Sequence, residues 1–139
     1  MKSSIKKQTL KKYFTLEEVE RILPKIKDTV IELQVLQEAI ELLDSIEIEI
    51  DEEEYAPSPM LTKLNQEFHK LSYEFYKKME KAENYGCVIK DVEQGLVDFL
   101  HWFNGREVFL CWKLGENKVQ HWHELEEGFT GRQKIIRLG

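Results

Sequence analysis

The side chains best suited to chemistry lie in the last third of the chain. His121 and His123 flank Trp122, and alternate residues of a β-strand point to the same side about 6.5–7 Å apart. Both imidazoles could then bind one divalent metal ion, with His101 from a neighbouring strand as a third ligand. The alternative interpretation is a pair of histidines at the border of a half-buried sheet face, hydrogen bonded to carbonyls or carboxylates.

Asp98 stands between two apolar residues, Val97 and Phe99. A covered carboxylate must be paired, because burying an isolated charge is prohibitively costly. Two interpretations fit this position. In one, an ion pair with a cation fixes the C-terminal loop on the sheet, the candidate cations being Arg106, Lys113 and Arg132. In the other, Asp98 is a general base beside His123 or Arg106.

Two further features have a structural interpretation as well as a chemical one. Cys111 lies between Leu110 and Trp112 and is interpreted as a small core residue. The segment 128–132, with sequence GFTGR, could hold an anion through backbone N–H groups and its arginine. It lacks the Lys-Ser/Thr ending of a P-loop, and two glycines with an arginine more often form a simple turn.

The pattern of the last fifty residues predicts the sheet that positions these groups. Asn104-Gly105 is typical of a two-residue hairpin turn between strands of alternating hydrophobicity. That turn places Asp98 opposite Cys111, and a second turn near Gly115 places Trp112 opposite His121. We therefore expect a three- to four-stranded antiparallel β-meander. His101, His121 and His123 should lie on one face of this sheet, and Asp98, Trp102 and Trp122 on the other. A slip of one residue would exchange the faces of the last strand.

The first 85 residues predict a long antiparallel helical hairpin. Thr15 and Glu18 have the spacing of a capping box, and Pro24 favours a break that leaves a short helix at about 16–23 and a long one at about 24–43. A second helix is expected at about 59–85 and ends at Gly86. Both helices carry apolar residues at 3-4 spacing, typical of a packed seam. A further stripe on the long helix needs either the sheet or a second copy of the chain to cover it; it comprises Ile31, Val35, Ala39 and Leu42.

Composition and charge limit the class of protein. The length of 139 residues suits one α+β domain at 13–139, preceded by a basic tail at 1–12. Seven acids and no base occupy 44–54, an acidic connector without the spacing of a calcium loop. Two cysteines without a CxxC pair predict the cytoplasm. No basic stripe favours nucleic acid, and no apolar run approaches the ~20 residues that span a bilayer.

Several short motifs together resemble an uncharacterised prokaryotic family, domain of unknown function 2203. The motifs stand in order along the chain as FTLEE at 14–18, LP at 23–24, GLVDF at 95–99, GREV at 105–108, LCWKLGE at 110–116, WH at 122–123 and GFTGR at 128–132. The resemblance covers nearly the whole chain and implies no activity. It places Asp98, Arg106, Cys111, Trp112, Glu116, His123 and Arg132 on motif positions, whereas His101 and His121 lie outside them.

Two hypotheses of function follow. The first is an interaction or scaffold module that forms a homodimer through its helical hairpin and offers its sheet to a protein partner. The second is a small-molecule, anion or metal-binding protein with a polar site on the C-terminal sheet, for which hydrolysis is one candidate chemistry. The candidate residues of that site are Asp98, Arg106, Glu116, His123 and Arg132. No complete catalytic constellation is present, so enzymatic activity and any cofactor beyond a divalent metal stay open.

Overall fold

The computed structural model describes residues 11–52 and 59–136, with side chains from 11–46 and 59–136. Two helices, α1 (Leu16–Glu52) and α2 (Pro59–Asn84), precede five strands. The strands are β1 (Val88–Asp91), β2 (Leu96–Phe103), β3 (Arg106–Lys113), β4 (His121–Glu124) and β5 (Gln133–Lys134), with a 3₁₀ turn at Phe129–Gly131 between the last two. The predicted α+β architecture of a helical hairpin followed by an antiparallel sheet is confirmed. Within the described residues no helix is both long and apolar enough to cross a membrane.

The start of α1 is built as its sequence predicts. The Thr15 hydroxyl accepts a hydrogen bond from the N–H of Glu18 (3.1 Å), and the Glu18 carboxylate accepts one from the N–H of Thr15 (2.9 Å). This reciprocal pair satisfies two of the N–H groups that a helix start leaves without partners. Phe14 and Val19 on either side are both buried in the core, as expected for a hydrophobic staple.

The predicted division of α1 at Pro24 is wrong. A single helix runs from Leu16 to Glu52 with Pro24 inside it and exposed. A proline removes one backbone hydrogen bond and costs about 3 kcal/mol in a helix interior. The neighbouring core residues Leu23 and Ile26 are buried against the sheet, and their burial offsets that cost.

The predicted end of α1 near Leu43 is also wrong. The helical backbone continues through most of the acidic connector to Glu52. The alternation of Ile46, Ile48 and Ile50 with acids looks strand-like, but no glycine or proline interrupts the segment before Pro57. The remainder of the connector, and all but the last two residues of the basic tail, lie outside the described residues.

The sheet is a meander in which strand order follows chain order, β1-β2-β3-β4-β5. Asn104 and Gly105 both have positive φ (51° and 75°), as a type I′ turn requires. The predicted pairing of β2 with β3 is confirmed residue for residue, including Asp98 opposite Cys111. The short strand β5, which the sequence pattern leaves in a loop, pairs with β4.

The predicted pairing of β3 with β4 is wrong by one residue. His121 lies opposite Cys111 and Trp122 opposite Leu110, instead of one position further along. The connection folds back at Glu116, whose carboxylate accepts the N–H of Lys113 (2.8 Å), and Val119 is fully buried in the core. The connection is therefore longer than a tight turn, and the slip turns every side chain of β4 to the other face.

The core fills the space between α1 and one face of the sheet. That face, the inner face, carries Val97, Phe99, Leu110, Trp112 and Trp122 against the buried side of α1. The opposite face, the outer face, carries Asp98, Cys111, His121 and His123. Trp102 also lies on the outer face, so the expectation that Trp102 and Trp122 share a face is wrong.

Candidate functional site

The corrected register gathers three buried residues on the outer face of three adjacent strands. Asp98 on β2, Cys111 on β3 and His123 on β4 are each at most 2% exposed. One carboxylate oxygen, the thiol sulfur and one imidazole nitrogen lie within 4.8 Å of one another. We call this group the outer-face cluster. Its acid, thiol and imidazole are all groups able to bind a metal ion.

His123 is held in a fixed orientation by bonds at both ring nitrogens. Nδ1 lies 2.8 Å from the carbonyl oxygen of Glu124, and since a carbonyl can only accept, Nδ1 carries a proton. Nε2 lies 3.1 Å from both carboxylate oxygens of Asp98. One proton must lie between Nε2 and the carboxylate, either on the ring or on the acid, so the pair is neutral overall in both cases. The structure pairs Asp98 with His123, a neighbour named in the general-base interpretation, and not with Arg106, Lys113 or Arg132 of the ion-pair interpretation.

Cys111 completes the cluster beside this pair. Burial, and then the negative charge of Asp98, raise the pKa of the Cys111 thiol to about 12. The thiol is therefore protonated at neutral pH and is no activated nucleophile as it stands. The interpretation of Cys111 as a small core residue agrees with its burial. It did not include Asp98 and His123 as neighbours of the thiol, which follow from the observed register.

A second group of polar residues adjoins the outer-face cluster. The Arg132 guanidinium lies 2.7 and 2.8 Å from the two carboxylate oxygens of Glu116 and 3.3 Å from the carbonyl of Cys111. It also stacks over the Phe129 ring at 4.6 Å. These contacts fix the C-terminal loop on the sheet, as one of the two sequence interpretations expected, with Glu116 in place of Asp98.

His121 belongs to this second group. Its Nδ1 lies 3.5 Å from the Glu116 carboxylate and is buried without a hydrogen-bond partner among the described atoms. Burial and the nearby Arg132 lower the pKa of the His121 imidazole, which favours the neutral ring. His121 and His123 do share a face, as predicted, but it is the outer face.

The remaining candidates lie apart from both groups. Arg106 pairs at the surface with Glu124, Nη2 to Oε2 at 2.7 Å. His101 lies on the inner face, where its Nδ1 approaches the carbonyl of Phe14 at 2.6 Å. The three histidines predicted as metal ligands, His101, His121 and His123, therefore lie on two different faces of the sheet. Of the five residues predicted to form a ligand site on the C-terminal sheet, Arg106 lies apart from the other four.

The segment at 128–132 forms a turn that uses its own backbone groups. The N–H of Gly131 donates to the carbonyl of Gly128 (3.0 Å), and the N–H of Arg132 donates to that of Phe129 (3.2 Å). With the arginine side chain already bound to Glu116, two of the expected backbone donors and the guanidinium are engaged within the protein. This segment therefore has the geometry of a simple turn and not that of an anion-binding loop.

A cavity of about 250 Å³ opens on the inner face of the sheet, near the end of the described chain. Its walls are mostly apolar and include His101, Phe103, Trp122 and Ile135. Of the predicted site residues, His101 alone contributes to these walls. The outer-face cluster is on the other side of the sheet from this cavity.

Comparison with known proteins identifies the family but supplies no activity. The family model described as an uncharacterized conserved protein, DUF2203, matches residues 12–135. The chain belongs to the DUF2203 family. No curated protein and no solved structure gives a significant match to this DUF2203 protein. The predicted resemblance is thereby confirmed, and function must be argued from the site and the surface.

Proposed function

We propose that this DUF2203 protein is an interaction module that self-associates through its helical hairpin. The observation that carries the proposal is a stripe of exposed apolar side chains along α1, with Ile31, Val35 and Leu42 at 40%, 61% and 62% exposure. Large apolar residues on α2 are equally uncovered: Met60, Tyr73 and Tyr76, each above 60%. On α1 these side chains follow one face of the helix, and an exposed apolar stripe of this kind is typical of protein interfaces.

The position of the stripe favours a partner that lies alongside the hairpin. The Gln34 side chain donates to the carbonyls of Val92 and Glu93, at the turn between β1 and β2. Some 18 residues of α1 follow Gln34, or about 27 Å of helix. Val35 and Leu42 belong to this outer part, where α1 packs against α2 and its other side faces solvent.

The charges of the two helices favour a second copy of the same chain. The outer half of α1 carries Glu38, Glu41 and Asp44, all exposed, and has no lysine or arginine at 35–46. On α2 four exposed lysines stand beside three exposed glutamates, and the lysines include Lys70, Lys77 and Lys81. In a two-fold arrangement with antiparallel hairpins, the acidic outer half of one α1 lies beside the lysines of the other copy's α2. Such complementary charges select the partner and its orientation.

The hairpin is large enough for a stable dimer. The 26 residues of α2 span about 39 Å, and two helices side by side are about 20 Å wide. One face therefore offers on the order of 800 Å², the area that each partner of a standard interface buries. Closed two-fold dimers are also the commonest oligomers of soluble proteins.

Sedimentation of the wild-type protein and two variants tests this proposal. We expect a dimer at tens of micromolar, and we expect Val35→Glu/Leu42→Glu to sediment as the 16.6 kDa monomer because buried carboxylates oppose association. The control is Ile136→Glu, the same kind of change at a residue that is 83% exposed outside the hairpin. It should remain dimeric. A monomeric wild-type protein would refute the proposal.

The alternative, a small-molecule or anion site on the C-terminal sheet, has less support. Both guanidinium groups in the candidate set, Arg106 and Arg132, are engaged by carboxylates of the same chain. A ligand with its own carboxylate or phosphate would have to displace Glu124 or Glu116. The metal-binding version of this alternative depends on other contacts, those of the outer-face cluster.

The cytoplasmic location and a further protein partner are part of the same proposal. Cys87 and Cys111 are both free and buried, in keeping with a compartment where disulfides are rare. The exposed Trp102 (56%) offers an aromatic contact for a protein partner on the outer face of the sheet, and aromatic residues are enriched at such interfaces.

A further inference from the structure

We infer that the outer-face cluster of Asp98, Cys111 and His123 is a binding site for a zinc-class transition-metal dication. The three residues come from three adjacent strands, and one ligand atom of each lies within 4.8 Å of the other two. The site differs from the predicted one, since His123 is the single residue common to both sets.

The distances suit a small dication. Zinc binds sulfur at about 2.3 Å and nitrogen or oxygen at about 2.0–2.2 Å, so ligand atoms of a tetrahedral site are about 3.5 Å apart. Nε2 of His123 already lies 3.1 Å from both oxygens of Asp98. If three atoms are 4.8 Å apart or less, a central ion lies within about 2.8 Å of each, and small side-chain movements complete the bonds.

The hydrogen bond at the back of the imidazole prepares His123 to act as a ligand. Because Nδ1 donates to the Glu124 carbonyl, the nitrogen that points at Asp98 and Cys111 is Nε2, with its lone pair free once the shared proton leaves. A ligating histidine almost always has such a bond at its other nitrogen, which fixes the ring and its tautomer. The Phe109 ring, 5.6 Å from the imidazole, packs beside it.

The charges also suit a dication in a buried position. A carboxylate and a thiolate together carry two negative charges, which a divalent ion neutralises, while the neutral imidazole adds none. Binding releases the thiol proton and the proton shared by Asp98 and His123. A thiolate with an imidazole selects zinc-class metals over magnesium or calcium, which prefer oxygen ligands.

Cobalt titration tests this site with a readout specific to the sulfur ligand. Untagged protein is treated with a chelator, and Co²⁺ is added as a spectroscopic substitute for Zn²⁺. We expect a sulfur-to-cobalt charge-transfer band that saturates at one ion per chain and disappears when Zn²⁺ is added. Absence of the band in the wild-type protein would overturn the inference, whatever the variants do.

Four variants then assign the ligands. Cys111→Ser should abolish the band, and His123→Gln should weaken Co²⁺ binding at least tenfold, the scale on which lost metal-site interactions act. The matched controls are Cys87→Ser, at the other buried thiol, and His121→Gln, on the same strand and face. Both controls should keep the band.

An unchanged band in Cys111→Ser, or its loss in Cys87→Ser, would contradict the assignment of the ligands. Circular dichroism of each variant identifies any that fails to fold. In that case metal content of the untagged wild-type protein, measured directly, decides whether the chain holds a metal.

Discussion

At the scale of single residues, two acid–base pairs of side chains on the sheet differ in their surroundings. Asp98 and His123 are 2% and 1% exposed, whereas Arg106 and Glu124 are 48% and 38% exposed. A solvated pair contributes little to stability because water screens it. In the buried pair, Nε2 of His123 lies 3.1 Å from both carboxylate oxygens of Asp98, where water does not screen the contact.

We expect Asp98→Ala to be strongly destabilising. Removal of the Asp98 carboxylate leaves Nε2 of His123 buried without that hydrogen bond, which costs about 1–3 kcal/mol, and the cavity left by the lost carboxylate adds to this cost. Urea unfolding of metal-free protein measures the change in the free energy of unfolding. Arg106→Ala is the matched control, with a small effect expected from its exposed pair. Similar losses in the two variants would show that burial does not govern these pairs.

A second prediction at this scale concerns the Cys87 thiol and pH. Burial raises the pKa of Cys87 to about 12, from 9.0 for a free thiol. The folded state thus favours the protonated thiol, and its contribution is fully present below pH 9 and is lost as pH rises towards 12. Between pH 9 and 11 the free energy of unfolding should fall by about 1 kcal/mol per pH unit through this group.

Comparison with Cys87→Ala isolates that contribution. Urea unfolding of both proteins at pH 8 and pH 10 should show a smaller alkaline loss of stability in the variant, because its chain has no thiol at position 87 to ionise on unfolding. An equal loss in the two proteins would contradict the assigned pKa. Cys111 is present in both proteins and cancels in the comparison.

At the scale of elements, the sequence predicts best where local chemistry determines the geometry. The β2–β3 pairing follows from Asn104-Gly105, because a two-residue turn allows one register. The β3–β4 pairing depends on how Glu116 and Val119 are bound in a longer connection. Those contacts involve Arg132 and the core, which are distant in sequence, so the register, and with it the position of His123 beside Asp98, could not be predicted.

The same contrast explains the helices. The start of α1 is local, since Thr15 and Glu18 bond to each other, and it was predicted. The continuity of α1 past Pro24 depends on packing against the sheet, which a pattern of single residues does not reveal. Tertiary burial there outweighs the local preference for a break.

We expect Pro24→Ala to stabilise the protein by about 1–3 kcal/mol. Alanine restores the backbone hydrogen bond to the carbonyl four residues earlier and is the best helix former, whereas proline costs about 3 kcal/mol in a helix interior. Thermal or urea unfolding measures the gain. Lys27→Ala, at an exposed position of the same helix, is the control and should change stability by less than about 0.5 kcal/mol. A destabilised Pro24→Ala would mean that the ring of Pro24 packs productively.

At the scale of the whole molecule, the chain divides its two proposed tasks between separate parts. The outer-face cluster lies on the sheet, and the exposed stripe with Val35 and Leu42 lies on the hairpin. The two proposals can therefore fail separately: Val35→Glu/Leu42→Glu should retain Co²⁺ binding, and His123→Gln should retain the dimer.

Ionic strength offers a further check on the proposed dimer. If acidic groups of α1 face lysines of the second copy's α2, salt should weaken the association, because exposed charges are screened over about 8–10 Å at 0.10–0.15 M. Sedimentation at low and high salt should show a larger dissociation constant at high salt. Stronger association at high salt would favour a purely apolar contact and a different relative orientation of the hairpins.

The meander order of the sheet has a consequence for how the chain acquires its structure. Every strand pairs with its neighbour in sequence, and proteins rich in such local pairings fold quickly. Contacts between residues distant in sequence join the start of α1 to the sheet, among them the hydrogen bond from the N–H of Phe14 to the carbonyl of Leu100 (2.7 Å). We therefore expect the β2–β3 hairpin to nucleate the sheet early, and the docking of Phe14 at the head of α1 to set the overall folding rate.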